Sequence, residues 1–457
     1  MNETTSYFLP GARERLLADE RKIVHIVTIA TKPDIIKQAP IYQELVRRGE
    51  LVILCHTGQH HDFRYSGGME EEFGLTVSVM LAINGSLHQK IAQMIERFGQ
   101  VLEELKTAGK VAIPYIHGDT STAMAIGLSS YMHQVACVHV EAGIRTLTLK
   151  ADVYKRHYAD FLAGRFDFAS YYADSQIDTN YERGSMEPFP EQFNTRVAEP
   201  ATGVYAAPVE IDAEFLRQEG FSADRIVVTG NSVADATALA IADSEQSTIL
   251  EKYPQLANGK FIRFCIHRRE NTGNRRRFMI IFEAMAKLIE SGHSVLLISL
   301  FGTEQAIDNY GLRPRLEQLV KDYPESFIYS DVWPYYRDVI AAMRLAALVA
   351  TDSGSMQEEM NILGIPCVTL RFGSDRGETF IAGCNVAAPP VDTDWIVAII
   401  EGALATPALA KRPNLYGENV SAKIVDLVLS KLTPGSTAGL FQTEEDRLDW
   451  PQPTTAQ

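Results

Sequence analysis

Carboxylates, histidines and basic side chains follow one apolar run after another in this 457-residue chain. Ala-Thr-Lys-Pro-Asp (30–34) ends the first run, with Lys37 one helical turn further on. His-Thr-Gly-Gln-His-His-Asp (56–62) ends the second, His-Gly-Asp-Thr (117–120) the third and His-Val-Glu-Ala-Gly-Ile-Arg-Thr (139–146) the fourth. His-Arg-Arg-Glu-Asn (267–271) and Thr-Asp-Ser-Gly-Ser (351–355) take the same kind of position later in the chain. Carboxylates beside histidine and arginine can exchange protons with a substrate and stabilise charge that leaves it. Asp119 at a strand end can equally cap the helix that follows, and residue type alone does not separate the two roles. Glu141 lies between an apolar strand and a glycine turn, a poor place for a carboxylate without a partner, so function is expected there. His267 with two arginines behind it reads as an anion site. Ser353–Ser355 reads as a helix start whose free N–H groups attract phosphate. Arg275–Arg277 reads as a solvated face. His60 and His61 follow a glycine turn without metal-ligand spacing, so hydrogen bonding is expected of them rather than coordination.

Such residues act together only if the fold brings them to one place. Ile23–Ile29, Leu51–Cys55, Val111–Ile116, Val135–Val140 and Ile226–Val228 read as strands in the first half. Phe261–Ile266, Ser294–Leu300, Phe327–Tyr329, Ala346–Ala350 and Cys367–Leu370 follow in the second. Ile35–Arg48, Leu87–Thr107, Arg276–Ser291 and Met356–Leu363 carry helix-period apolar spacing between them. Fully apolar strands alternating with helices predict an α/β protein with parallel sheets covered on both faces. The series runs twice, with a break near Gly230–Asp235, which predicts two doubly wound Rossmann-like domains, 1–232 and 233–414. The segment 147–187 reads as an insertion of short helices and loops, and 415–457 as a return onto the first domain. The polar tail from Pro434 is expected to be mobile or draped over the surface. Ligands of open parallel sheets bind beyond the carboxyl ends of the strands, so the polar clusters predict one cleft between the domains.

Composition narrows the function. Apolar residues make up 46% and charged residues 22%, which excludes wholesale disorder. No uncharged apolar run approaches the roughly 18 residues of a membrane helix, and the N-terminus lacks a secretory apolar core. A cytoplasmic protein is expected, with no membrane partner. Lys and Arg total 43 against 58 Asp and Glu, a net charge of −15 that opposes nucleic-acid binding. An anionic ligand must therefore find locally concentrated positive charge. The five cysteines form no CxxC pair and no metal cluster, so neither a disulfide framework nor a metal is expected. GxGxxG after the first strand, GxxxxGK[ST] and GxSxG are all absent, which excludes the standard dinucleotide fingerprint, the P-loop and the hydrolase elbow.

HGDTST (117–122), HVEAGIRT (139–146), PEQFN (190–194), TGNSVADA (229–236), HRREN (267–271) and TDSGSMQEE (351–359) resemble the non-hydrolysing UDP-N-acetylglucosamine 2-epimerases. Order and approximate spacing fit from about Arg21 to about Tyr416. The resemblance implies the GT-B fold, a UDP-sugar in the interdomain cleft, no cofactor, and a homodimer. It assigns Asp119, Glu141 and Glu191 as catalytic carboxylates and His267 as a catalytic histidine near the diphosphate. Lys37 matches a lysine of the phosphate-side loop, and Lys32 stands where the family usually has arginine. Ser353 and Gly354 match the diphosphate site, with Ser355, Arg145, Asn194 and Arg268 as further substrate contacts. Glu359 matches a ribose-binding glutamate, and Gln59 and His60 match a loop beside the substrate.

This chain departs from the family pattern at several points. GTRPE reads Ala-Thr-Lys-Pro-Asp, which exchanges a bidentate arginine for a point charge. PEEANR reads Pro-Glu-Gln-Phe-Asn-Thr, DSGG reads DSGS, and RPE reads Arg376-Gly377-Glu378. The stretch between Arg145 and Pro190 is much longer than usual and is expected over or beside the sugar pocket, with a surface or oligomer-contact excursion as the alternative. Alternatives to the first reading are a 2-epimerase of another UDP-sugar, such as a UDP-2,3-diacetamido-uronic acid, a hydrolysing epimerase that releases N-acetylmannosamine and UDP, and a GT-B glycosyltransferase. A UDP-sugar sensor without catalysis ranks last.

Overall fold

The computed structural model describes residues 6–58, 66–432, 440–441 and 448. Gln59 and His60 lie outside the described residues, as does the tail from Pro434 apart from 440, 441 and 448. The first sheet contains β1 (Ile23–Ile29), β2 (Val52–His56), β3 (Val77–Met80), β4 (Val111–His117), β5 (Cys137–Val140), β8 (Thr202–Ala207) and β9 (Ile226–Val228). Its order is β3-β2-β1-β4-β5-β8-β9, all parallel. The second contains β10 (Ile262–Cys265), β11 (Val295–Ile298), β12 (Phe327–Ser330), β13 (Leu348–Thr351), β14 (Cys367–Thr369) and β16 (Asn385–Ala387). Its order is β12-β11-β10-β13-β14-β16, again all parallel. Central strands such as β1 are mostly apolar, with six of its seven residues buried, because helices cover both faces. The two doubly wound sheets are those the alternation predicts. Among the described residues, no helix is long and apolar enough to cross a membrane.

The segment after Thr146 leaves the first sheet but buries its apolar side chains against the second. β6 (Leu147–Leu149) and β7 (Tyr181–Glu182) form a small antiparallel sheet with β15 (Gly373–Ser374), in the order β15-β6-β7. Helices Ala151–Leu162 and Phe168–Asp174 fill the space between. Aromatic rings of these helices and of the loop between them surround Trp395, with Phe166 at 4.8 Å, Phe161 at 5.4 Å and Tyr171 at 5.5 Å between centroids. Polar tips anchor the same rings, as Tyr171 donates to the Ala387 carbonyl at 2.8 Å and Tyr154 to that of Phe372 at 2.5 Å.

The chain crosses back once more near its end. Helix Val420–Lys431 packs Val420, Ile424, Val425 and Val428 into the core that covers Ile35 and Ala39 of helix Lys32–Arg47. Asp235 accepts from the Val420 and Ser421 backbone N–H groups and fixes the start of that helix. Where the crossings meet, Gly230 has φ +93°, and a Cβ there would lie 2.2 Å from the Tyr416 carbonyl oxygen. Only glycine lets the two segments pass so closely.

Candidate active site

The carboxyl ends of β1, β4, β10 and β13 face one cleft of about 350 Å³ between the sheets. Thr31, Lys37, His117, Asp119, Glu191 and Asn194 line it from the first half of the chain. His267, Arg268, Arg269, Ser353, Ser355 and Arg376 line it from the second. This is the locally positive place an anion needs on a chain with a net charge of −15.

Asp119 follows β4 through Gly118, whose φ is +56°. It does not cap the next helix. Thr120 does so, its hydroxyl accepting from the Ala123 N–H at 3.0 Å. Asp119 is therefore free to face the cleft, and its Oδ2 is buried without a hydrogen-bond partner among the described residues. Burial, then the nearby Asp375 carboxylate, raise its pKa to about 6. Asn194 fixes the turn by donating to the Asp119 carbonyl at 3.0 Å. Glu191 opens helix Glu191–Ala198 and accepts from Arg268 Nη1 at 2.5 Å, a pair that joins the two halves. Its other oxygen is buried without a partner among the described residues.

Glu141 plays a different part. It follows β5 with φ +63°, a strained backbone for a residue with a side chain. Lys37 Nζ donates to its Oε1 at 2.6 Å, and His117 and Arg376 also hold its carboxylate. Lys37 also pairs with Glu358 at 2.6 Å, Arg376 Nε donates to the same Glu358, and His117 Nδ1 donates to Asp34 at 2.9 Å. Burial opposes ionisation of Glu141, but Arg376, Lys37 and His117 outweigh it and hold the carboxyl well below its ordinary range. Glu358 in the same cluster is pushed up by burial to about 8. Burial likewise opposes the charge on His117, but Glu141 and Asp34 bring its pKa to about 9.

A histidine raised in this way stabilises the fold fully below its unfolded value of about 6.5, and the contribution is lost as pH rises through the folded value. The thermal midpoint is expected to fall between about pH 6.5 and about pH 9. A His117→Asn variant should lose that part of the slope in the same melting series.

His267 follows β10, and its N–H donates to both oxygens of Asp352, at 2.9 and 3.1 Å. Asp352 also accepts from the Arg268 N–H and from Asn271 Nδ2, so it shapes the loop rather than facing substrate. Desolvation lowers the His267 pKa, which favours a neutral imidazole. Ser353 precedes helix Gly354–Leu363 without a side-chain cap, leaving the N–H groups of that start open to an anion.

The remaining expected residues divide. Lys37 reaches the cleft as a partner of Glu141 and Glu358. Lys32 turns away toward the second half and donates to the Trp333 carbonyl at 2.8 Å. Glu359 lies further along the helix that begins at Gly354 and accepts from the Tyr336 hydroxyl at 3.1 Å. Arg145, expected to hold substrate, does not join them. Its guanidinium is buried and divided between Glu199 and Glu219, both at 2.5 Å. None of the residues lining the cleft comes from 147–187; instead Leu147 packs behind Gly377, bracing the loop that presents Arg376. The sequence assigned no role to His117, Asp34, Glu358 or Arg376. Thr31-x-x-Asp34 is a capping-box signal and His117 ends an apolar strand, so those two had visible cues. Nothing local distinguishes Glu358, and Arg376 stands in the sequence only as the first residue of Arg376-Gly377-Glu378, where the family pattern has RPE.

A family model described as UDP-N-acetylglucosamine 2-epimerase matches residues 43–171 and 182–429. The break in the match falls inside the segment after Thr146. The UDP-N-acetylglucosamine 2-epimerase of Methanocaldococcus jannaschii is 27% identical over 365 residues, which cover 79% of this chain and 87% of that protein. The Salmonella typhimurium enzyme of the same name is 26% identical over 422 residues, covering 89% and 98%. The solved M. jannaschii enzyme in complex with UDP-GlcNAc and UDP has a TM-score of 0.73 at 23% identity, covering 89% of this chain and 99% of that one. The Neisseria meningitidis enzyme bound to UDP-GlcNAc has a TM-score of 0.72 at 24% identity, covering 89% and 100%. The structural likeness shows the fold, two Rossmann-like domains of the GT-B type. With the family model spanning both sheets, the chain belongs to the UDP-N-acetylglucosamine 2-epimerase family.

Proposed function

We propose that the protein interconverts UDP-N-acetylglucosamine and UDP-N-acetylmannosamine by inversion at C2, without a cofactor. The observation that carries this reading is the pair of buried carboxylate oxygens, on Asp119 and Glu191, aimed into a cleft whose other wall is cationic. The relatives named UDP-N-acetylglucosamine 2-epimerase supply the substrate class. No carbonyl adjoins C2 of the sugar, so its proton is not acidic. Its removal becomes feasible when the C1–O bond breaks in the same event. The proton passes to a carboxylate, the C2–H electron pair forms the C1=C2 double bond, and UDP departs with the bonding pair from C1. The intermediate is 2-acetamidoglucal. UDP then adds back at C1 while C2 takes a proton on the other face.

Two carboxylates suit such a reaction, one as base and one as acid. Arg268, His267 and the helix start at Gly354 face the departing diphosphate, where charge develops. Glu141 has no free role in proton transfer; it holds Lys37, His117 and Arg376 in place. Glu359 and Lys32 lie on the nucleoside side. On the family likeness we also take the protein to be cytoplasmic and homodimeric.

NMR of the purified protein with UDP-N-acetylglucosamine in deuterated water tests the reaction. The expected result is deuterium at C2 in a mixture of gluco and manno UDP-sugars. Free N-acetylmannosamine with UDP would replace this reading by the hydrolysing one. Saturable UDP binding with no exchange would overturn it in favour of another sugar or a transferase.

A further inference from the structure

A central strand of the second sheet carries an arginine among apolar neighbours. Arg263 of β10 lies in register with Leu296 of β11 and Val349 of β13. Strand alternation puts it on the same face as Cys265 and His267. Cys265 there packs with Phe261, Trp333, Met356 and Met360. Arg263 is 6% exposed, and its Nε and Nη1 have no hydrogen-bond partner among the described residues. Its neighbours in charge are Glu359 and Lys32, and neither is bonded to it. Glu359 is occupied by Tyr336, and Lys32 by the Trp333 carbonyl. By contrast, Arg268 is paired with Glu191, Arg371 with Asp375, and Arg376 with Glu141 and Glu358. A guanidinium keeps its proton, so Arg263 holds a buried positive charge with two donors unused, which is costly unless a ligand completes them.

We propose that Arg263 reads the base of the bound nucleotide, its free donors meeting a carbonyl oxygen of the pyrimidine. The proposal rests on the functional reading above. Position separates base from phosphate. Arg263 lies inside β10, whereas His267 lies beyond the carboxyl end of that strand, so the Arg263 backbone is set back from the diphosphate wall. Glu359 is more than a turn into the helix whose start faces the diphosphate, and Trp333–Tyr336 borders the same corner. A nucleotide with its diphosphate at the helix start extends its nucleoside in this direction. The apolar neighbours suit the faces of a ring, and a neutral carbonyl meets a guanidinium without the desolvation a phosphate would require.

Calorimetric titration of the full chain with UDP and with inorganic pyrophosphate tests this. Arg263→Met is expected to weaken UDP by about 10–100-fold and to leave pyrophosphate within about twofold of wild type. The free variant should melt no lower than wild type, because Met fits the apolar wall and removes an unpaired charge. Arg263→Lys keeps the charge and loses the fork, so it too should bind UDP at least about tenfold more weakly. Wild-type affinity for UDP in these variants, or equal losses for UDP and pyrophosphate, would overturn the proposal. If the wild-type chain binds pyrophosphate but not UDP, the functional reading falls, and this inference with it.

Discussion

Asp119→Asn should slow the enzyme by about two to four decades in turnover while making the protein more stable at neutral pH, the kinetic range being that of a lost acid–base group. The kinetic loss follows from a buried oxygen beside the cleft that has no hydrogen-bond partner among the described residues. The gain follows from the raised pKa of about 6. A carboxyl whose folded pKa lies above its unfolded value binds its proton more tightly in the folded state. It therefore destabilises the fold progressively as pH rises from about 4 to about 6. Asn carries no charge to desolvate, so the variant should gain about 1–3 kcal/mol over wild type at pH 8 and little at pH 4. Turnover assays and denaturant melts at the two pH values check both parts. UDP affinity should stay close to wild type, because the residues proposed to hold the diphosphate, His267, Arg268 and the helix start at Gly354, lie on the other wall. Near-normal turnover would remove Asp119 from the chemistry, and equal stability at pH 8 would remove the burial argument.

Glu141→Gln is expected to fail in the opposite way, with stability and turnover both lost. Three cations meet on this carboxylate, and amide replacement leaves Lys37, His117 and Arg376 crowded around a neutral group. Breaking a buried pair from one side costs about 3–5 kcal/mol. The depressed pKa gives the sign: the contribution is present above the unfolded value of about 4.3 and is lost as pH falls. The difference between wild type and variant should therefore hold from pH 7 to about pH 4.3 and shrink only below it, read by denaturant melts from pH 7 down to about pH 2. A variant as stable as wild type at pH 7 would show that the cluster has another anchor. Two carboxylates at neighbouring strand ends thus carry opposite thermodynamic signs, one held against its burial for chemistry and one holding its neighbours.

Residue types and order located the cleft because a parallel sheet has only one end at which such residues can gather. Strands rich in Val and Ile were legible on the same ground. Thr202–Ala207 and Asn385–Ala387 were not, since short runs containing Gly, Ala or Asn lack the β-branched signal. What spacing cannot show is which opposite charges meet in space. Arg145 looked free at a strand end, but its partners Glu199 and Glu219 stand 54 and 74 residues away in sequence. Arg376 is separated from Glu141 by 235 residues, so no local pattern announces the contact. Lys32 is expected from the sequence to bind substrate, and its side chain donates to the Trp333 carbonyl.

The aromatic segment after Thr146 also orders events in time. A ribosome delivers Tyr158, Phe161, Phe166 and Tyr171 long before Trp395, the ring they surround. Until the last quarter of the chain emerges, a first sheet that has folded still trails a greasy flap with nothing to sit on. Helix Val420–Lys431, which closes the first core, comes later still. Neither half of the nascent chain can therefore complete itself alone, and the long wait with apolar surface uncovered is where chaperones would be engaged.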